Sequence, residues 1–157
     1  MPRPTNRVLD WEKIWERGYR AFASTYDGRY GGFGDAPKFP RPVVHDFLHR
    51  FGARKSGEQS GQLGLQMSRH TLGAMSDGGM NDQLGGGFHR YSVDEQWIVS
   101  HFEKMLYDQA QLAISLGEMY QMTREERFAN TLRATLDYVL RDMTHPQGGF
   151  YSAEDAD

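Results

Sequence analysis

The sequence predicts an all-α fold: a partial α/α toroid built of helical hairpins joined by long Gly-rich loops. Amphipathic stretches at helical spacing follow one another in pairs. Gly-Gly-Phe recurs at 31–33, 86–88 and 148–150, with two predicted helices between each occurrence and the next. A unit of loop, helix, short turn and helix cannot bury its apolar face alone, so units must stack, with all long loops at one end. Glycines that merely break helices would explain Gly-Gly. They would not explain the Phe after each pair or the charges nearby.

The first helix is expected over about 11–26, with Trp11, Ile14, Trp15, Phe22 and Tyr26 on one face and Asp10 as N-cap. Asp27-Gly28 stops it. The loop from Tyr30 to Pro40 is not helical, because Pro37 and Pro40 lack donors and extend the residues before them. Pro42 opens a second helix with Val43, Val44, Phe47, Leu48 and Phe51 inward. Residues 52–61 read as an exposed connection.

A third helix over about 62–75 is apolar on two faces (Leu63, Met67, Ala74; Leu65, Leu72, Met75), as expected between layers. Residues 76–99 form the second long loop, with a short strand at 88–91. Ser100-His101-Phe102-Glu103 reads as a capping box. It would start a fourth helix whose inward stripe is Phe102, Met105, Leu106, Gln109, Leu112, Ala113, Leu116 and Met119. Thr123-Arg124-Glu125-Glu126 reads as a second box, opening a fifth helix with Phe128, Leu132, Leu136, Val139 and Met143 on one face. His145-Pro146 ends it, and a third loop closes the sequence.

With 157 residues the chain can bury one core. A net charge of −3 and a pI near 6.1 exclude a generic nucleic-acid surface. The absence of cysteine excludes disulfides, thiolate zinc sites and thiol catalysis within the chain. No apolar stretch approaches the ~20 residues that span a bilayer, and Met1–Thr5 lacks the apolar region of a signal peptide. The expected setting is cytoplasmic, with neither membrane nor nucleic acid as partner.

Polar groups collect at the loop end. Catalytic candidates are His89, Asp94, His101, Glu154, Asp155 and Asp157; candidate substrate contacts are Phe33, Lys38, Phe88, Arg90, Tyr91 and Trp97. Carboxylates, imidazoles and aromatic rings around a concave end suit carbohydrate, whose rings stack on aromatics and whose hydroxyls need acceptors. The chemistry is either glycosidic cleavage by two carboxylates or proton abstraction and return at a sugar carbon. Spacing does not separate the two.

Competing structural roles are plain as well. Glu103 serves the capping box, His101 fits a structural imidazole, and Asp108 fits a hydrogen bond or ion pair within the fourth helix. Arg90 either clamps an anionic group or pairs with Asp94. Three clustered acids at 154, 155 and 157 resist joint ionisation without a cation, yet no metal set and no cofactor is assigned. His101-Phe102-Glu103 lacks the zinc spacing of H-E-x-x-H, and Gly85-Gly86-Gly87 lacks that of phosphate loops.

Long motifs carry a resemblance. They are Gly31-Gly32-Phe33-Gly34-Asp35-Ala36-Pro37-Lys38-Phe39-Pro40, the segment from Gly78 through Asp94 to Trp97, His101 through Leu112, and Gly149 through Asp157. Over about residues 27–157 the sequence resembles the thioredoxin-domain-containing family of the spermatogenesis-associated thioredoxin-like protein of animals and its bacterial homologues. Ser100 stands where that family usually has Pro, and both suit a helix start. The resemblance implies a full-length protein with an N-terminal thioredoxin-like domain, then an α/α barrel similar to six-hairpin glycosidases and N-acylglucosamine 2-epimerases. This chain would be the first part of the barrel, residues 1–157, without the thioredoxin-like domain and the later hairpins. Its expected function is carbohydrate-active or carbohydrate-binding, of the epimerase or glycosidase kind. The alternative is a non-catalytic scaffold presenting protein clients to a thioredoxin-like domain.

Overall fold

The computed structural model describes residues 9–156, so the reading of Met1–Thr5 and the candidate acid Asp157 lie outside the described residues. The elements are α1 (Trp11–Ala23), α2 (Pro42–Arg54), α3 (Gln59–Asp77), β1 (Tyr91–Ser92), β2 (Ser100–His101), β3 (Lys104–Met105), α4 (Leu106–Thr123), α5 (Glu126–Asp142) and β4 (Ala153–Glu154).

Two hairpins result, α2 on α3 and α4 on α5. In addition α2 touches α4, while α3 touches both α1 and α5. The helices therefore lie in two layers, α2 and α4 in one and α1, α3 and α5 in the other. Turns at 55–58 and 124–125 are short, and the long connections at 24–41, 78–105 and after 142 share one end.

Local chemistry sets two of the helix starts, those of α1 and α2. Asp10 accepts the Lys13 N–H at 3.2 Å, capping α1 as expected. α1 stops at Ala23 rather than Tyr26, because Tyr26 leaves the helix to bridge Phe33. Pro42 opens α2 as expected, behind Arg41 in left-handed geometry. α3 is longer than the sequence suggests, beginning at Gln59.

Both capping-box readings fail. Ser100 and His101 form β2, antiparallel to β1, and Ser100 Oγ donates to the Gly79 carbonyl instead of capping a helix. α4 therefore starts at Leu106, and Phe102 is exposed rather than inward. Thr123 ends α4, its hydroxyl donating to Met119 O, while Arg124 turns left-handed and Glu125 precedes α5.

The buried residues of α5 are Phe128, Ala129, Thr131, Thr135 and Tyr138; Phe128 and, just past the helix, Met143 are buried as expected and Leu132 packs on the core, whereas Leu136 faces outward. Thr135 can be buried because its hydroxyl donates to the Thr131 carbonyl at 2.8 Å. Val43 also faces outward, contrary to its expected inward position.

The core has two parts. Leu72, Met75, Met80, Phe88, Trp97, Leu112, Leu116, Met119 and Phe128 form the larger, and Phe33, Val44, Leu48 and Met67 the smaller. Each fully buried side chain of this size stabilises by about 1.5–3 kcal/mol.

The repeat holds at the backbone level. Bridges join Tyr26 to Phe33, Asn81 to Phe88 and Thr144 to Phe150. Both glycines of every Gly-Gly-Phe have positive φ, from 74° at Gly31 to 95° at Gly148. Side chains there would be strained, and in the first two loops they would also collide. A Cβ on Gly32 would lie 2.6 Å from the Trp97 ring, and one on Gly87 would lie 2.5 Å from the Tyr138 ring.

Candidate functional site

The first two loops are closed by the same device. Asp27 Oδ1 accepts the N–H groups of Arg29 and Tyr30 at 2.8 and 3.0 Å, and its Oδ2 receives Lys38 Nζ at 2.5 Å. Lys38 Nζ also donates to the carbonyls of Gly31 and Glu95, both at 2.8 Å. In the second loop Asp82 Oδ1 accepts from Leu84 and Gly85, and Lys104 Nζ reaches Asp82 Oδ2 at 2.8 Å and the Gly86 carbonyl at 3.0 Å. His145 takes the aspartate's place in the third loop, its Nδ1 accepting the Gln147 N–H.

Lys38 is thus a buried lock with its donors consumed, rather than a substrate contact. Phe33, Phe88 and Trp97 are core residues, also unable to meet a ligand. Trp97 is wholly buried, and its Nε1 donates to the Tyr30 carbonyl at 2.9 Å. Asp94 is a backbone cap: its carboxylate accepts from Gln96, Ile98 and Val99. Burial opposes its ionisation, but those N–H groups prevail and hold it below the usual carboxylate range. His89 is buried, with Nδ1 3.3 Å from the Phe102 carbonyl. Burial first, then the charge of Lys104, pushes its pKa down, so it is neutral at physiological pH.

The remaining candidates do gather. The β1–β2 register sets Tyr91 opposite His101, with the rings stacked at 4.8 Å and 20°. Phe39 packs on Tyr91 at 5.0 Å, extending the stack to three rings. Arg90 Nη1 donates to Glu103 Oε2 at 2.7 Å, and His101 Nδ1 lies 3.5 Å from the same oxygen. Arg90 therefore pairs with Glu103, not with Asp94.

Strand β4 lies antiparallel to β3 with Glu154 opposite Lys104. Glu154 accepts a short hydrogen bond from the Tyr138 hydroxyl, and Asp155 is exposed, accepting the Ala156 N–H. A shallow cavity of about 250 Å³ is lined by Arg90, Glu103, Met105, Ala153, Glu154 and Asp155, and the ring stack stands outside it. A larger groove of about 770 Å³, lined by residues of α1, α3 and α5 such as Tyr19, Leu63 and Arg127, holds none of the candidates. Among the described residues no three His, Asp or Glu side chains gather at metal-binding spacing, and no helix is long and apolar enough to cross a membrane.

Three residues that the sequence does not single out as site candidates stand at or beside the site. Phe39 is visible only as part of a motif, and its stacking on Tyr91 needs the Lys38–Ser92 bridge that brings the two loops together. Glu103 is masked by a helix start that does not exist. Asp108 is the third: it sits in the first turn of α4, is 6% exposed, and takes part in no side-chain hydrogen bond or ion pair among the described residues. Burial lifts its pKa to about 6, opposed by the charge of Arg90.

No protein-family model matches the sequence. Spermatogenesis-associated protein 20 of Homo sapiens is 48% identical over 141 residues, 90% of this chain but 18% of that protein. An uncharacterized protein of Caenorhabditis elegans is 41% identical over 148 residues, 93% of this chain and 20% of that protein. The chain thus spans about a fifth of the length of these curated relatives.

Among solved structures, a sugar epimerase from a ruminal bacterium superposes with a TM-score of 0.72 at 14% identity, covering 91% of this chain and 40% of that one. Cellobiose 2-epimerase of Bacillus thermoamylovorans gives 0.72 at 16% identity, over 92% of this chain and 41% of that one. A D-mannose isomerase gives 0.66 at 15% identity, over 92% of this chain and 40% of that one. The chain is homologous to a segment of spermatogenesis-associated protein 20, and its fold matches part of the α/α toroid seen in the sugar epimerases.

Proposed function

We propose that this chain is the first part of a carbohydrate-active or carbohydrate-binding α/α barrel, with its site at the loop end around Arg90, Tyr91, His101 and Glu103. One observation carries the reading: a partly exposed ring stack that includes the His101 imidazole lies beside the Arg90–Glu103 pair, and that pair lines a shallow cavity. Stacked rings offer a platform to the C–H face of a pyranose, and the charged pair offers a donor and an acceptor to its hydroxyls. Glu154 and Asp155 supply carboxylates on the far wall.

Of the two chemistries open in the sequence, proton transfer at a sugar carbon is better supported than glycosidic cleavage. His101 is half-exposed and its Nδ1, without a hydrogen-bond partner, lies 3.5 Å from the Glu103 carboxylate, so a candidate base has a carboxylate within reach. The likeness to epimerases and an isomerase points the same way, although fold alone does not assign function. Cellobiose and mannose are the first ligands to try.

The test is saturation-transfer NMR with both sugars, together with deuterium incorporation at C2 in D2O, on the full chain and on His101→Ala and Arg90→Ala. Binding that both variants weaken at least about tenfold supports the site, an effect of roughly 1.4 kcal/mol. Binding that neither variant alters would remove it from the loop end.

A second reading has its own observation. Phe33, Lys38, Phe88 and Trp97 are buried, and Asp94 caps backbone N–H groups of its own loop, so these side chains serve the loops themselves. Such loops fit a scaffold that presents protein clients to a thioredoxin-like domain elsewhere in the full-length protein. Recovery of defined client proteins by the full-length protein, with no response to any sugar, would favour it.

A further inference from the structure

The three Gly-Gly-Phe loops share a backbone but differ in what covers them. The first lies on α3: a Cβ on Gly31 would be 3.0 Å from Thr71 Cα, and the Gly32 N–H donates to Thr71 Oγ1 at 2.8 Å. The second lies on α5, where a Cβ on Gly86 would be 2.5 Å from the Ala134 carbonyl oxygen. Each loop therefore rests on the second helix of the hairpin that follows it, so closely that only glycine fits. The third loop keeps the same positive φ, yet a Cβ on Gly148 or Gly149 meets nothing within 4 Å among the described residues. Phe150 is 57% exposed, whereas its counterparts Phe33 and Phe88 are 4% and 0% exposed.

These contacts also set α3 and α5 in register. Thr71 and Ala134 occupy the same place, so Gly73 and Asp77 of α3 correspond to Leu136 and Leu140 of α5. Gly73 and Asp77 are where α3 receives its neighbour. A Cβ on Gly73 would be 2.7 Å from Arg127 Nη1, and the same nitrogen is 3.4 Å from Asp77 Oδ2. On α5 the corresponding leucines are 46% and 65% exposed. An apolar pair thus stands where α3 uses an ionic contact.

We propose that Leu136, Leu140 and the loop from Gly148 to Phe150 form one docking surface. Its occupant is the second helix of a further hairpin of the same repeat, carried in cis by the full-length protein. The α3–α5 interface is the precedent. There α5 touches both the outer helix before it and the glycine loop that opens its own hairpin. A helix seated in the same way on α5 would cover the two leucines and the third loop together. The curated relatives, of which this chain spans about a fifth, have the length for such a hairpin.

The register also specifies the occupant's chemistry. Arg127 lies in the first turn of α5, and Ala134 follows two turns later on the same face. The incoming helix should lay its backbone over Gly148 and present a first-turn residue to Leu136 and Leu140. That residue should be apolar, because α5 offers leucine where α3 offers Asp77 to an arginine, and exclusion of water then drives the contact. The inference rests on the barrel part of the reading above and not on its sugar chemistry, so a failed sugar screen leaves it standing.

Photo-crosslinking in the full-length protein tests it, with p-benzoylphenylalanine in place of Leu140 and the adduct mapped by mass spectrometry. The crosslink should be intramolecular and fall in the first turn of the second helix of the next hairpin, at an apolar residue. Hydrogen exchange of the wild type gives a readout without any variant. The segment from Gly148 to Phe150 should exchange at least about tenfold more slowly in the full-length protein than in this chain. Leu140→Asp should undo that protection while leaving the thermal midpoint of this chain unchanged. A crosslink to a second copy, or to a thioredoxin-like domain, would overturn the proposal together with the barrel reading of this face. A crosslink to another part of the next hairpin would overturn the register and keep the barrel. Equal exchange in the two proteins, with no crosslink, would show the surface open and overturn the docking itself.

Discussion

Lys104 Nζ stands 2.8 Å from Asp82 Oδ2, repeating in the second glycine loop the contact that Lys38 makes with Asp27 in the first. Lys104 also lies 4.2 Å from the centre of the Tyr138 ring, so its charge is met on every side. Burial opposes ionisation of Asp82, but the N–H groups of Gly85 and Leu84 and the ammonium of Lys104 outweigh it, and its pKa is well below the ordinary 3.8.

A carboxylate so depressed contributes stability above its unfolded value, and that contribution is lost as pH falls through the folded one. Lys104→Met should therefore lower stability at pH 7 by on the order of 3 kcal/mol, since Asp82 is left part-buried and unpaired. The deficit should shrink towards pH 3, where the unfolded carboxyl becomes protonated. Urea midpoints at the two pH values check this, and an equal loss at both would assign the effect to packing on Tyr138.

The third loop should behave differently. Gly148 and Gly149 share the positive φ of their counterparts, yet a Cβ on either would meet nothing within 4 Å. Gly149→Ala should cost only the backbone strain of about 1–2 kcal/mol. Gly87→Ala adds a collision with Tyr138 and should cost a further 1–3 kcal/mol or so. Thermal denaturation of the two variants decides, and equal losses would mean that Tyr138 yields freely.

These loops show what was legible and what was not. The spacing of Gly-Gly-Phe announced stacked hairpins, because turn chemistry and helical period are local properties. The same motif does not reveal that Phe33 and Phe88 are core residues while Phe150 is exposed, since burial depends on which helix packs above each loop. Ser100-His101-Phe102-Glu103 has every local feature of a capping box. It loses to pairing with β1, a contact between residues brought together only by the tertiary fold. Lys38 and Asp94 looked functional because charged residues in loops usually face water. Their neighbours here are backbone groups of the same loops, and sequence spacing cannot distinguish a ligand's hydroxyl from a local N–H. His101, Arg90 and Tyr91 do converge, and Glu103 joins them through an ion pair with Arg90 that no local pattern encodes.

Asp108 gives the sharpest pH dependence expected of the fold. Its side chain is largely buried and takes part in no side-chain hydrogen bond or ion pair among the described residues, and its folded pKa of about 6 exceeds the ordinary 3.8. A group raised in this way lends its stability below the unfolded value and loses it as pH rises through the folded one. Between pH 4 and 6 the unfolded chain ionises Asp108 freely while the folded chain resists. By pH 7 the folded state has forfeited on the order of 2 kcal/mol. Asp108→Asn removes the ionisation and keeps the shape. Its unfolding free energy should therefore match the wild type near pH 4 and exceed it at pH 7, with the difference growing mainly below pH 6. Arg90→Gln should do the reverse, raising the Asp108 pKa further by withdrawing the nearby charge. A chain in which Asp108→Asn is equally stable or less stable at pH 7 would show that the carboxylate finds a partner in solution, most simply Arg90 after release from Glu103.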